Sequence, residues 1–228
     1  MTPPKPPDSS PDDPCAPRWH RRPESRPDEI LEAAEAVFGE FGYNGTRLEE
    51  VARRAGVSKG TLYLYFESKE ALFREMVRAR VLPIVDLAEQ TLQEHHGSPA
   101  DLLVKVVRQM WAALRNARLA RMSRLMTAEL AGFPELGRFY YEEVVLRSRR
   151  VIEAVLERGI AAGEFRAMPH RFVARAVPAL LVHQSQTQYF SAGLDPNPLS
   201  DEQVIDGVID LVLHAVLKPS RAKDRTNA

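Results

Sequence analysis

From residue 26 onward the apolar side chains recur at steps of three and four. Ile30, Leu31, Ala34, Val37, Phe38 and Phe41 fall on one face of an amphipathic helix of about four turns. Asp28 and Glu29 stand at its start, where a carboxylate meets the positive end of the helix dipole, and Gly42 is placed to end it as a left-handed cap. Thr46-Arg47-Leu48-Glu49 reads as a capping box for a short second helix that stops at Gly56. Ser58 caps a third, ending near Tyr65, and Ser68 caps a fourth that runs to about Leu92 with a kink at Pro83. Further helices are predicted over 99–116, 118–131, 135–162, 169–191 and 201–217, separated by Gly/Pro-containing breaks. Period-two runs of β-branched residues are missing, so the expected fold is all-α: a three-helix helix-turn-helix unit followed by a helical bundle, about nine helices in all.

The first 24 residues are written differently. Nine of the chain's 17 prolines lie within residues 1–27, with few apolar residues to anchor a core, so residues 1–24 are expected to be a disordered tail. A basic cluster, Arg18-Trp19-His20-Arg21-Arg22, closes it; a solvated linker is the simpler reading and an arm reaching DNA the alternative. The division that follows is residues 25–84 as a DNA-binding domain, 85–218 as a ligand-binding and dimerisation domain, and 219–228 as a flexible tail.

Composition narrows the function classes. The 228 residues carry 31 Lys and Arg against 31 Asp and Glu, which excludes a histone-like or strongly acidic protein but not a local basic patch. The single cysteine, Cys15, cannot form an internal disulfide, and a reducing, cytoplasmic setting is expected. No apolar run approaches the roughly 20 residues of a spanning helix, so no membrane partner is expected. A Gly-rich phosphate loop, a nucleophile elbow and an HExxH pattern are all absent from the sequence, and no histidines stand at ligand spacing; neither an enzyme, a cofactor nor a metal site is expected.

The chemistry is concentrated in Val51–Phe66, VARRAGVSKGTLYLYF. Gly56 can take the positive φ of a tight turn, while Val51, Ala52, Ala55, Val57 and Leu62 face inward and lock two short helices together. The other face of the second helix carries Ser58, Lys59, Thr61, Tyr63 and Tyr65. Ser58 and the free N–H groups at the helix start suit a phosphate, and Lys59 a phosphate or a guanine edge. Gly60 permits close approach of the backbone. Thr61 offers a hydroxyl or a methyl to a base, and the two phenols reach phosphate or sugar. Arg47 and Lys69, at the starts of neighbouring helices, are expected to clamp phosphate. Each of these, taken singly, is an ordinary solvated side chain; their convergence on one face favours double-stranded DNA.

These residues resemble the DNA-binding domain of TetR-family transcriptional regulators. The likeness covers residues 26–77, from EILEAAEAVFGEFGYNGT through VARRAGVSKGTLYLYFESKEALF, with the Ala-Gly-Val-Ser turn, the Leu-Tyr-x-Tyr-Phe exit and the Ser-Lys-Glu cap in register. It implies that Thr61, Tyr63 and Lys69 contact bases or backbone; Leu64 occupies a position where relatives often carry a polar or aromatic residue. The stretch Glu129 to Leu136 is similar to an AcrR-like subgroup. The resemblance further implies a repressor whose second domain encloses a small-molecule pocket. Within 27–80, eight basic residues face ten acidic ones, a net of −2, so DNA affinity must come from charge placed on one face.

For the second domain, Met110, Trp111, Met122, Met126, Phe133 and Tyr140 are the candidate lining of a cavity for a small, largely apolar effector, with Arg115, Glu129, His183 and Gln186 as candidate polar lining; ordinary core, rim or surface is the alternative for each. The last helix, Val204 to Leu217, has too wide an apolar arc to face one core, and with the helix before it suits a four-helix homodimer interface. The function expected is therefore a dimeric, ligand-responsive regulator of a palindromic operator. The competing class is a helical binding or scaffold protein without operator binding.

Overall fold

The computed structural model describes residues 26–219, excluding the side chains of Arg118, Met122, Leu125, Met126 and Thr127. The N-terminal tail with its basic cluster, and the last nine residues, lie outside the described residues. The helices are α1 (Arg26–Gly45), α2 (Leu48–Arg54), α3 (Lys59–Tyr65), α4 (Lys69–Arg80), α5 (Leu82–Glu94), α6 (Pro99–Arg115), α7 (Ala117–Glu129), α8 (Pro134–Tyr140), α9 (Arg147–Ala161), α10 (His170–Phe190) and α11 (Asp201–Val216). A 3-10 turn (Leu130–Gly132) joins α7 to α8, and a π-helical segment (Tyr141–Leu146) joins α8 to α9. Among the described residues the only extended pairing is a single bridge between Phe165 and Leu217.

Local chemistry explains most of the boundaries. Ser58 accepts from the Thr61 N–H at 3.0 Å and Ser68 from the Ala71 N–H at 3.0 Å, as expected of N-caps. Ser98 and Ser200 do the same for α6 and α11, the latter in a full capping box with Gln203. The box expected at Thr46–Glu49 does not form. The Thr46 hydroxyl donates backwards to the Gly42 carbonyl at 2.6 Å, Arg47 is the cap residue without a side-chain bond, and Glu49 pairs with Lys59 instead.

Two of the expected helices are interrupted. The predicted 68–92 helix breaks at Val81, so that Pro83 opens α5 rather than kinking one long rod; a proline lacking its N–H costs nothing in the first turn of a helix. The predicted 135–162 helix contains the π-helical segment, which widens the backbone over Tyr141–Leu146.

Phe41 corrects the reading of α1. It was expected on the buried face, but it is 46% exposed, with the Arg54 guanidinium 5.5 Å from its ring centroid. Gly42 has left-handed φ (74°), the chain turns there, and Tyr43 takes the core position, stacked on Phe38 with centroids 5.8 Å apart.

Two apolar cores result. The first joins the inward faces of α1 to α4 with Leu130, Leu136 and Phe139 from the α7–α8 corner. It therefore crosses the boundary drawn at residue 84. The second joins α5, α6, α9, α10 and α11, with Leu102, Val106, Ile152, Val155, Leu156 and Leu181 buried. Arg147 ties α9 to α5 by reaching Asp86 at 2.6 Å and Glu89 at 2.7 Å; these hydrogen bonds, Glu89 first, hold its guanidinium pKa well above normal.

Candidate functional site

The turn between α2 and α3 closes as the sequence predicted. Gly56 has φ 66°, its N–H donates to Arg53 O, and the Val57 N–H donates to Ala52 O at 3.0 Å. Val51, Ala52, Ala55 and Leu62 are buried, which fixes the angle between the helices. The outer face of α3 is left open: Tyr63 is 44%, Leu64 84% and Tyr65 42% exposed. An 84% exposed leucine has no packing reason within the chain. Gly60 has none either, because a Cβ there would meet only the Ser58 Oγ, at 3.7 Å. Its lack of a side chain matters only toward whatever approaches α3 from outside.

The polar groups on this face are already engaged with one another. The Ser58 and Thr61 hydroxyls lie 2.8 Å apart, so Thr61 presents its methyl group together with a hydroxyl tied to the cap. Lys59 pairs with Glu49 at 2.5 Å, and its ammonium lies 5.8 Å from the Tyr63 ring centroid. That contact raises the Lys59 pKa and lowers that of Glu49, each through the hydrogen bond they share.

The same pattern runs through the head. Arg53, Arg54, Arg74, Arg78 and Arg80 all have carboxylate partners. Arg47, at the start of α2, is exposed, and its side chain makes no ion pair or hydrogen bond among the described residues.

Lys69 sits otherwise than its expected role as a phosphate clamp requires. Its ammonium donates to the carbonyls of Tyr43 (2.8 Å), Thr46 (3.2 Å) and Asn44 (3.4 Å), and lies 4.6 Å from the Tyr43 ring centroid. A lysine has three N–H donors, and all are committed to the α1–α2 corner. Burial lowers its pKa, opposed by the nearby Glu129.

Glu129, expected as polar lining of the cavity, is absent from its walls and serves this corner instead. From the end of α7 it accepts from the Asn44 N–H at 3.0 Å and fills the space beside Gly42, where any Cβ would overlap its carboxylate. Phe133, expected to line the effector cavity, packs instead edge-on to Tyr43 with centroids 4.6 Å apart. The only sequence signal for this joint was the Glu129–Leu136 stretch, which resembled a subgroup pattern without indicating what it touched.

A cavity of about 300 Å³ lies among α5, α6, α7, α8, the π-helical segment, α9 and α10. That is the lower end of the range usual for small-molecule sites. Its walls are largely apolar: Val81, Ile84 and Val85 from the α4–α5 break, Met110, Ala113 and Leu114 from α6, and Pro178, Ala179 and Val182 from α10. Tyr140 and Ser148 add hydroxyls. Burial pushes the Tyr140 phenol up to about 12, so it stays a neutral donor.

Of the expected lining residues, Met110 and Tyr140 are present. Trp111 is not: it is 5% exposed within the second core, with Arg115 over its ring. His183 and Gln186 are also outside the lining, because neighbours on α10 turn the Pro178–Val182 side inward and leave His183 exposed. The Met122 and Met126 side chains lie outside the described residues.

The fold does assemble one group of metal-ligand type that spacing did not show. Glu153, Glu157 and His170 bring donor atoms within 4.8 Å of one another. Arg171 already occupies the Glu153 carboxylate at 3.0 Å, and exposed clusters of this kind are common without an ion. Among the described residues no helix is long and apolar enough to cross a membrane.

Comparison with known proteins agrees with this architecture. Residues 30–76 match the family model for bacterial regulatory proteins of the tetR family, and residues 101–215 match the C-terminal domain of AefR-like transcriptional repressors. The chain is 26% identical over 209 residues to the HTH-type transcriptional repressor KstR2 of Mycolicibacterium smegmatis, covering 88% of this chain and 95% of that protein. It is 37% identical over 101 residues to the A-factor receptor protein of Streptomyces griseus, but that match covers only 44% of this chain and 34% of the receptor. Among solved structures, the transcriptional regulator FadR of Bacillus subtilis in complex with stearoyl-CoA superposes with a TM-score of 0.70 at 20% identity, covering 82% of this chain and 98% of that one.

Proposed function

The chain belongs to the tetR family of bacterial regulatory proteins and is a DNA-binding transcriptional regulator; from that premise we propose that it is a cytoplasmic homodimeric repressor of a palindromic operator, released by a small, largely apolar effector. The observation that carries the DNA half of this reading is the outer face of α3, where nothing within the chain requires a glycine at 60 and where Leu64, Tyr63 and Tyr65 are 84%, 44% and 42% exposed. In this reading α3 enters the major groove. The Thr61 methyl and Leu64 contact thymine methyls, Tyr63 and Tyr65 reach the backbone, and Ser58, Lys59 and Arg47 hold phosphate. Lys59 must exchange Glu49 for phosphate to do so.

Dimerisation is supported by the apolar surface that α10, α11 and their connection leave uncovered: Phe172 is 69%, Phe190 78%, Leu194 72% and Leu211 59% exposed. Pairing α10 and α11 with a second copy would hide this surface and set two α3 helices about one DNA turn apart, or a multiple of it.

The effector half rests on where the cavity lies. Val81, Ile84 and Val85 form part of its wall, and they flank the break between α4 and α5. A molecule that fills the cavity acts directly on the joint from which α4 carries the head. It releases DNA by favouring a head spacing that no longer matches successive grooves, with a coupling of about 1–3 kcal/mol. The carbon-chain ligand of the Bacillus subtilis regulator accords with an apolar effector.

The test is protection of a palindrome upstream of the protein's own gene or of a divergent neighbour by the purified protein, with sedimentation at micromolar concentration. A monomer that protects no site at that locus overturns the reading. A dimer that protects one bears it out.

A further inference from the structure

The cavity lining is largely apolar but includes two cations. Two of its lining residues, Arg149 of α9 and Arg175 of α10, are charged, and both also line an adjoining polar recess of about 180 Å³ with Arg171 and Glu153. The recess therefore holds three guanidiniums against one carboxylate, and that carboxylate is taken by Arg171 at 3.0 Å. Arg149 is positioned rather than neutralised: it donates to the Tyr141 hydroxyl at 3.3 Å and lies over the Tyr141 ring at 5.5 Å. The exposed Arg175 side chain makes no ion pair or hydrogen bond among the described residues. By contrast, Arg147, Arg108 and Arg115 of the same domain each hold a carboxylate at 2.6–2.8 Å. Two cations without carboxylate partners at the mouth of an apolar cavity are incomplete as a structural device, because guanidinium is the side chain best shaped to bind a carboxylate or phosphate in two-point fashion.

We propose that the effector is an anionic amphiphile, whose apolar chain fills the cavity toward Val81 and Val85 and whose carboxylate or phosphate head is held between Arg149 and Arg175. This rests on the cavity being the effector site, and it replaces a merely apolar effector by one with a defined charge and polarity of insertion. The head is at the α9–α10 mouth and the chain end is at the α4–α5 break. Head-group recognition fixes the depth of insertion, and chain length decides whether the break is reached. A free long-chain carboxylate and a chain esterified to a phosphate-bearing carrier share this chemistry.

The experiment uses the full chain and calorimetric titration below the critical micelle concentration with four probes of one chain length: dodecanoate, dodecanoyl-CoA, dodecan-1-ol and dodecyltrimethylammonium. At least one of the two anionic probes should bind about tenfold to a hundredfold more tightly than the alcohol, and the cation should bind worst. Which of the two binds better identifies the source of the head. In Arg149→Gln/Arg175→Gln the preference for the anion should vanish while the alcohol binds as before; unchanged thermal melting shows that the fold is intact. An alcohol that matches both anions, or an anion preference that survives the double substitution, overturns the proposal but leaves an apolar effector cavity standing. A cavity-filling Ala113→Phe separates the two ideas. If it leaves the binding of every probe unaltered, or if no probe binds the unaltered chain, the cavity itself is not the site and both readings fall.

Discussion

The recognition face takes its side chains from Ser58 to Tyr65, a single capped turn and helix, whereas the cavity collects its lining from Val81 to Val182 across six helices. The first is specified by residues that are neighbours in the chain, so its geometry follows from a glycine turn, a serine cap and the buried Val51, Ala52, Ala55 and Leu62. The second exists only because α5 to α10 pack with a gap, and no short segment contains it. They also treat charge in opposite ways. The head binds an anionic polymer with cations that are almost all paired internally, while the mouth of the cavity leaves two guanidiniums without a carboxylate. On the contacts proposed above, binding at the head is an exchange of partners, and binding at the cavity mouth is the completion of a site.

The joint between these regions offers the sharpest way to break the comparison. Gly42→Ala puts a Cβ into left-handed backbone and into the Glu129 carboxylate, and should lower stability by about 2–4 kcal/mol in urea unfolding. Gly42→Ala/Glu129→Ala should recover part of that loss, since it clears the overlap but not the backbone strain. If Gly42→Ala costs nothing, the head and the second domain are not joined at this corner.

Next in size are changes on the face of α3. Thr61→Ala and Tyr63→Ala should each cost about 1–3 kcal/mol of operator affinity, with altered base preference in at least one, by mobility shift on operator variants. Stability should scarcely change, because neither side chain is in a core.

Lys69 and Arg47 separate structure from DNA contact. Lys69→Ala should cost about 1–2 kcal/mol of folding stability, since three carbonyls lose their donor. Arg47→Ala should leave melting unchanged and lower the slope of log affinity against log salt by about 1. A slope change of that size in Lys69→Ala, without loss of stability, would show that its carbonyl bonds open for phosphate.

The smallest effect is expected from Glu49→Gln. Freed of its carboxylate partner, Lys59 no longer has to exchange one anion for another, and operator affinity should rise by about two- to fivefold at low salt, converging with the unaltered chain as salt is raised. Weaker binding would mean that Glu49 orders Lys59 for its phosphate.

How much of this was legible depended on range. The serine caps at 58 and 68, the Gly56 turn and the buried face of the second and third helices were read correctly because each is decided within four residues. Phe41 was read onto the wrong side because periodicity does not register that the chain turns at the next residue, Gly42, which gives the core position to Tyr43. The Thr46–Glu49 box failed because the Gly42 carbonyl, one helical turn back, took the Thr46 hydroxyl, and Lys59, ten residues on, took Glu49. Trp111 and Phe133 have the composition of a cavity wall, yet one is core and the other a joint, since composition does not say which neighbour an aromatic ring will meet.

What the sequence by itself determined is the all-helical class, the helix-turn-helix and the residues it presents, because helix caps, turns and amphipathic faces are set by local sterics and by burial along a fixed period. Only the tertiary structure decided that the fourth predicted helix parts at Val81, that Glu129 closes the α1–α2 corner, that Lys69 serves that corner, and that Arg149 and Arg175 meet at one mouth. Each of these depends on side chains brought together across tens of residues, where packing rather than spacing chooses the partner.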